Sequence, residues 1–118
     1  MMDLEKLKSL LLSKPGADEG AAFGPEHLTY KVCGKLYAVV GWDEDPMRLS
    51  IKADPNKVEA QRTVFSAVQP PPYFNKKHWN LVILDGTVPQ PELEAMIDES
   101  SDLVVKGLTK QQREALQT

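Results

Sequence analysis

The stretch Tyr73-Phe74-Asn75-Lys76-Lys77-His78-Trp79-Asn80 sets aromatic rings, lysines, a histidine and amides side by side ahead of an apolar run. Lys76 and Lys77 can neutralise phosphates while Tyr73 or Phe74 stacks on bases, the pairing of charge and π-face that single-stranded nucleic acids call for. The same string also has a purely structural explanation. Trp79 alternates with Leu81 and Ile83, so period-2 spacing puts it in the core, and Asn75 can satisfy backbone groups at the entry of a strand. Trp79 is therefore expected inside, with Tyr73, Asn75, Lys76, Lys77 and His78 forming the exposed half.

A second patch comes from alternation. Thr29 and Lys31 share one face of their strand, and Arg48, Ser50 and Lys52 share one face of theirs. If the two sets lie on the same side, they form a basic sheet face suited to phosphate or carboxylate. Otherwise they are the solvated side of a half-buried sheet. His27 and His78 have no neighbouring Cys or second His, so no metal site is expected. Cys33, the single cysteine, excludes an intramolecular disulfide. It would act as a nucleophile only beside a base, and a small cysteine in a strand is otherwise packing. Gly34, Gly41 and Gly86 are turn and strand glycines, with no phosphate-cradling loop. No catalytic constellation stands out, and no cofactor is expected.

These residues must be positioned by strands and helices whose signals are clear. Leu4, Leu7 and Leu11 form an apolar stripe predicting a helix over 2–13, ended by Lys14-Pro15-Gly16. A short strand is expected at Ala21-Ala22-Phe23. Residues 28–33 alternate, Gly34-Lys35 links them to the nearly continuous apolar run 36–42, and 47–52 alternate again. Links this short imply hairpins and an antiparallel sheet. Asp54-Pro55 predicts a helix start, with Val58, Arg62 and Phe65 on one side. Pro70-Pro71-Pro72 forces an extended bend, where a cis prolyl bond is an option, and could otherwise dock as a polyproline ligand. A strand over 77–84 turns at Asp85-Gly86, and the longest helix spans 89–106, with Gly107 closing it. Thr109 with Gln112 is a capping box for a last helix ending near Gln117.

The 118 residues are 42% hydrophobic and 26% charged, the composition of an ordinary globular protein, and one domain over 1–118 is the expectation. The longest apolar runs, 10–12 and 81–84, fall far short of the roughly 20 residues a spanning helix needs. Acids close to the N-terminus do not suit a signal peptide, so a soluble, cytoplasmic protein with no membrane partner is expected. The net charge of -3 is not that of a polyanion binder. Its distribution is uneven. Between Thr63 and Leu84 the only acidic or basic side chains besides His78 are Lys76 and Lys77, whereas acids dominate from Asp85 onward.

The order of motifs resembles the MmcQ/YjbR family of small bacterial proteins over most of the chain. The matching pieces are Lys31-Val32-Cys33-Gly34-Lys35-Leu36-Tyr37-Ala38, Leu49-Ser50-Ile51-Lys52-Ala53-Asp54-Pro55 and Tyr73 through Val82, then Leu84-Asp85-Gly86. Ser100, Asp102-Leu103-Val104 and Leu108-Thr109-Lys110 with Arg113 close the pattern. Where the family has a Ser-Tyr pair, this chain has Ser100-Ser101. The resemblance implies an α+β fold with an antiparallel sheet packed with helices, YjbR-like and described as CyaY-like or double-wing-like. It also implies the label of DNA binding, carried by fold analogy rather than by assigned residues.

Three functions follow. A nucleic-acid-binding module, weak and not sequence-specific, would use Lys31, Arg48, Lys52, Tyr73, Asn75, Lys76, Lys77 and His78. A protein-interaction or adaptor domain would bind another protein. A small-molecule binder or enzyme, with its site at the sheet–helix boundary and involving Lys31, Arg48, Lys52 or His78, would need a concave pocket with convergent polar groups.

Overall fold

The computed structural model describes residues 3–116. Helix α1 (Leu4–Leu12) is capped by Asp3, whose carboxylate accepts from the Lys6 N–H at 2.8 Å, and it buries Leu7 and Leu11. The expected start at Met2 and end near Gln117 lie outside the described residues. The strands are β1 (Ala17–Gly20), β2 (His27–Val32), β3 (Lys35–Gly41), β4 (Arg48–Lys52), β5 (Val68–Gln69) and β6 (Trp79–Ile83). Helix α2 (Val58–Val64) precedes β5, and α3 (Gln90–Lys106) and α4 (Lys110–Leu116) follow β6. The six strands form one antiparallel sheet in the order β1-β2-β3-β4-β6-β5.

The helices cover one face of this sheet. Leu28, Tyr30, Ala38, Val40, Leu49, Ile51 and Val82 pack beneath them with Leu7, Leu11, Leu93, Ile97 and Val104. The opposite face carries the alternate set: Thr29 opposes Val39, Val39 opposes Ser50, and Ser50 opposes Leu81. Trp79 belongs to this second set, directly across from Lys52. The core expectation for Trp79 is thus corrected. The helix side of β6 takes Asn80 and Val82, both fully buried, while Trp79 and Leu81 are half-buried on the far face. Period-2 alternation finds the pairs that share a face and does not say which face the helices choose.

Local differences have local causes. The β2–β3 turn is Cys33-Gly34, both with positive φ (50° and 77°), as a two-residue hairpin requires to match the strand twist. Cys33 is consequently exposed in a turn and not packed in a strand. The first edge strand is Ala17–Gly20, paired to β2, and Ala21-Ala22-Phe23 falls in the loop that follows. Asp54 opens an Asx turn, accepting from the Asn56 N–H at 2.9 Å, so α2 starts at Val58. The cis prolyl bond is Asp45–Pro46, outside the proline run. The capping box at Thr109 and Gln112 forms reciprocally, at 3.0 and 3.1 Å.

A β-bulge at Tyr37 organises the middle of the sheet. Tyr30 pairs with Ala38 and Lys31 with Leu36, which leaves Tyr37 as the extra residue. Tyr37 and Ala38 both turn to the helix side and are fully buried, and the Tyr37 hydroxyl donates to the Leu11 carbonyl of α1. The bulge frees the Tyr37 carbonyl beside the Lys52 N–H, where β3–β4 pairing has ended at Ala38 and Ile51. Ser100 of α3, fully buried, joins the two: its hydroxyl donates to Tyr37 O at 2.6 Å and accepts from Lys52 N at 2.9 Å. Ser100→Ala should leave both backbone groups without partners and cost about 2–4 kcal/mol, read as a lower urea midpoint with an unchanged slope.

Candidate functional site

On the face without helices, two connections rise over the strands and enclose a cleft of about 440 Å3. Its floor is the cross-strand row Val39, Ser50 and Leu81. Its roof is Pro72, Tyr73 and Phe74 from the connection before β6, with Phe23 from the β1–β2 loop. Phe74 stacks on Trp79 at 4.6 Å between centroids, and Phe23 meets Phe74 edge-on at 6.4 Å. Aromatic pairs in these offset and edge geometries hold the roof rings in place.

The polar end of the cleft is the next row across the sheet, where His27 opposes Gly41 and Gly41 opposes Arg48. Glu44 reaches in from the β3–β4 loop. Gly41 makes room for this group, because a Cβ there would come within 3.2 Å of the Glu44 carboxylate. Trp42 ties the two loops of this end together, its indole N–H donating to the Pro25 carbonyl at 3.0 Å. The charged atoms are loosely matched. Arg48 Nε lies 3.8 Å from Glu44 Oε2, and His27 Nδ1 lies 3.7 Å from Glu26 Oε1. Neither nitrogen makes a hydrogen bond, although both are shielded from solvent. On the other side of the sheet, burial pushes the Tyr30 hydroxyl up, with a hydrogen bond to Glu19 adding to the effect, and burial pushes Tyr37 up as well. Both stay protonated at neutral pH, so Tyr30 remains a donor to Glu19 and Tyr37 a donor to the backbone.

The residues singled out from the sequence separate into three places. Arg48 and Tyr73 line the cleft. Lys31 and Lys52 sit half-buried on the same face, toward the other end of their strands. Asn75, Lys76, Lys77 and His78 are exposed on the turn before β6, where Asn75 Oδ1 accepts from the Lys77 N–H at 2.8 Å and Asn75 O from the His78 N–H at 3.1 Å. The two histidines stand apart, His27 at the cleft and His78 on this turn. Sequence reasoning missed Phe23, Val39, Gly41, Glu44 and Leu81 as cleft residues, and His27 as more than a lone histidine. A signal was present in the unbroken apolar run of β3. Such a run marks a strand covered on both faces, here by helices on one side and the aromatic roof on the other.

The string 75–80 has a structural task in this geometry. Arg62 of α2 donates through Nε to the Asn80 amide oxygen at 2.8 Å, and through Nη2 to the carbonyls of Lys76 and Trp79 at 2.5 and 3.1 Å. The buried Asn80 amide donates in turn to Gln61 Oε1 at 2.8 Å. The turn that carries the roof into β6 is thereby bolted to a helix on the far side of the sheet.

A family model described as YjbR matches residues 12–103. The chain belongs to the YjbR family. Within that family, it is 30% identical over 115 residues to the uncharacterized protein YjbR of Escherichia coli strain K12, covering 98% of each chain. It is 30% identical over 106 residues to the uncharacterized protein YbdF of Escherichia coli O157:H7, with 90% of this chain and 87% of that one covered. The crystal structure of Deinococcus radiodurans protein DR2400, of domain DUF419, superimposes with a TM-score of 0.90 at 38% identity, covering 98% of this chain and 88% of that one. A Pseudomonas syringae protein shares the fold with a TM-score of 0.74 at 21% identity, covering 86% and 98%. Among the described residues, no helix is long and apolar enough to cross a membrane.

Replacing Arg62 with leucine removes the charged donors from the Lys76 and Trp79 carbonyls and from Asn80. The change should cost about 2–3 kcal/mol. Trypsin should then cut after Lys76 or Lys77 faster than in the parent protein under native conditions, with mass spectrometry locating the cut.

Proposed function

We propose that this YjbR-family chain is a binding domain for a small, largely apolar molecule, received on the face of the sheet that carries no helix. The observation that carries the proposal is the cleft of about 440 Å3, with an apolar floor, aromatic roof rings and polar side chains gathered at one end. That combination of size, apolar lining and few convergent polar groups is what small-molecule sites share. The cleft holds Ser50, His27 and Glu44, but no hydrogen bond joins the Ser50 hydroxyl to either of the others, so its size and apolar lining support binding better than catalysis.

The neutral fluorophore N-phenyl-1-naphthylamine tests this directly. It should bind the native protein one-to-one, with rising emission and a dissociation constant of about 0.1 mM or below. Ser50→Phe, which puts a ring on the cleft floor, should weaken binding at least about fivefold without unfolding the protein. Emission that rises linearly with no saturation, or that Ser50→Phe leaves unchanged, would sink the proposal.

A second reading is weak, sequence-independent nucleic-acid binding. It is supported by one observation: Thr29 and Lys31 share their face with Arg48, Ser50 and Lys52, and Lys76 and Lys77 precede β6 at the Lys52 end. The acids of α3 lie across the sheet, Asp98 paired with Lys14 and Glu99 with Lys57. Against it, Glu44 stands beside Arg48, and Asp18 is the cross-strand neighbour of Lys31. Titration with duplex and single-stranded DNA at several salt concentrations decides. Micromolar binding that falls steeply with salt and is lost on combining Lys76→Glu with Lys77→Glu is the expected signature. No detectable binding at low salt removes the idea.

A further inference from the structure

The polar end of the cleft is built around an arginine whose carboxylate partner is misplaced. Arg48 projects from the middle of the sheet and is one-third exposed, and its Nε makes no hydrogen bond. Glu44 is attached to a loop, its side chain is 58% exposed, and its nearest approach to that nitrogen is 3.8 Å. A charge-assisted N–H to carboxylate bond closes at about 2.7–2.9 Å, and a guanidinium meets a carboxylate best through two parallel N–H groups. Glu44 therefore neutralises Arg48 without occupying its hydrogen-bonding edge. Across Gly41 from it, His27 Nδ1 is also without a hydrogen bond, with Glu26 at 3.7 Å. Two shielded nitrogens thus lack a hydrogen-bond partner on residues that line the polar end of an otherwise apolar cleft.

Resting on the small-molecule reading above, we infer that the ligand is a planar, apolar molecule bearing a carboxylate. Arg48 and His27 receive that carboxylate, and Glu44 holds its place in the free protein. The apolar body would lie on Val39 and Leu81 beneath Phe74 and Tyr73. On binding, the Glu44 side chain moves outward into water and the ligand's carboxylate closes on the guanidinium, so the net charge around Arg48 is conserved. Mobility decides which charge gives way: a loop carboxylate can leave, whereas Arg48 is held by strand pairing on both sides. A cation would also suit aromatic rings and a glutamate. It would, however, face the Arg48 guanidinium and leave Nε still without an acceptor.

The test uses three ligands with one ring system, 1-naphthylacetate, 1-naphthylacetamide and 1-naphthylmethylammonium, measured by calorimetry or amide chemical-shift titration. The acid should bind about tenfold tighter than the amide, and the ammonium weakest, as a desolvated charge-assisted pair predicts. Glu44→Gln removes the internal competitor and should tighten the acid about three- to tenfold while leaving the amide within about twofold. Arg48→Met should bring the acid down to the affinity of the amide. An amide or ammonium that binds as tightly as the acid overturns the inference and leaves the cleft a binding site. So does weaker acid binding in Glu44→Gln, a variant expected to fold whatever Arg48→Met does. Failure of all three ligands, together with the neutral fluorophore, overturns the cleft reading itself.

Discussion

A single serine hydroxyl holds the middle of this fold together. The bulge at Tyr37 turns two successive side chains of β3 toward the helices, and the backbone carbonyl it frees would be buried without a partner. Ser100 supplies that partner and also accepts from Lys52, so α3 is bonded to the two central strands where their own pairing stops. An apolar residue there would orphan two buried backbone groups, which is more costly than any packing it could add. With α3 seated on this face, beside the Tyr37 hydroxyl bond to α1, the helical layer lies on one side and the other side of the sheet is left to loops.

The open face is shaped by how its covering is anchored. The connection 70–78 leaves the sheet at β5 and returns at β6, and Arg62 grips its returning end through backbone carbonyls while Asn80 links that grip to α2. Phe74 then lies on Trp79 and against Phe23, so a roof forms over Val39, Ser50 and Leu81 instead of collapsing onto them. The specificity of the Asn-Lys-Lys-His-Trp-Asn string is thus largely conformational. Asn75 shapes the turn, Trp79 supports the roof, Asn80 is a buried bolt, and the lysines between them are exposed. Membership of the YjbR family and the close superposition on DR2400 agree with a string that specifies architecture.

Charge placement distinguishes the two faces as packing does. Two acids of α3, Asp98 and Glu99, are engaged on the helical side with Lys14 and Lys57, whereas Lys31, Arg48 and Lys52 lie on the other. The open face is nonetheless not uniformly basic, because Glu44 and Glu26 crowd the end where Arg48 and His27 lie. Loosely matched charges beside an apolar cavity are more informative than the net charge of -3, which averages over both faces.

Much was legible from residue types and spacing alone. The α+β class, the antiparallel hairpins, the helix boundaries at Gly107 and Thr109, and the sharing of a face within each strand, by Thr29 and Lys31 in one and by Arg48, Ser50 and Lys52 in another, follow from short-range rules, since periodicity and capping act within a few residues of chain. Which face the helices would choose did not follow, and Trp79 is the clearest case. Its alternation with Leu81 describes either side of a sheet equally well, and only the packing of α3 through Ser100 selects one. The cleft lay further still from the sequence. It gathers Phe23, His27, Val39, Glu44, Arg48 and Phe74 from separate segments, and no local pattern reports that side chains so distant along the chain converge. The sequence by itself determined the central strands β2, β3, β4 and β6 and the helices α1, α3 and α4, but not the edge strands β1 and β5 or the start of α2. The tertiary structure decided the sidedness and the site, because both depend on contacts between segments whose positions are set by one another.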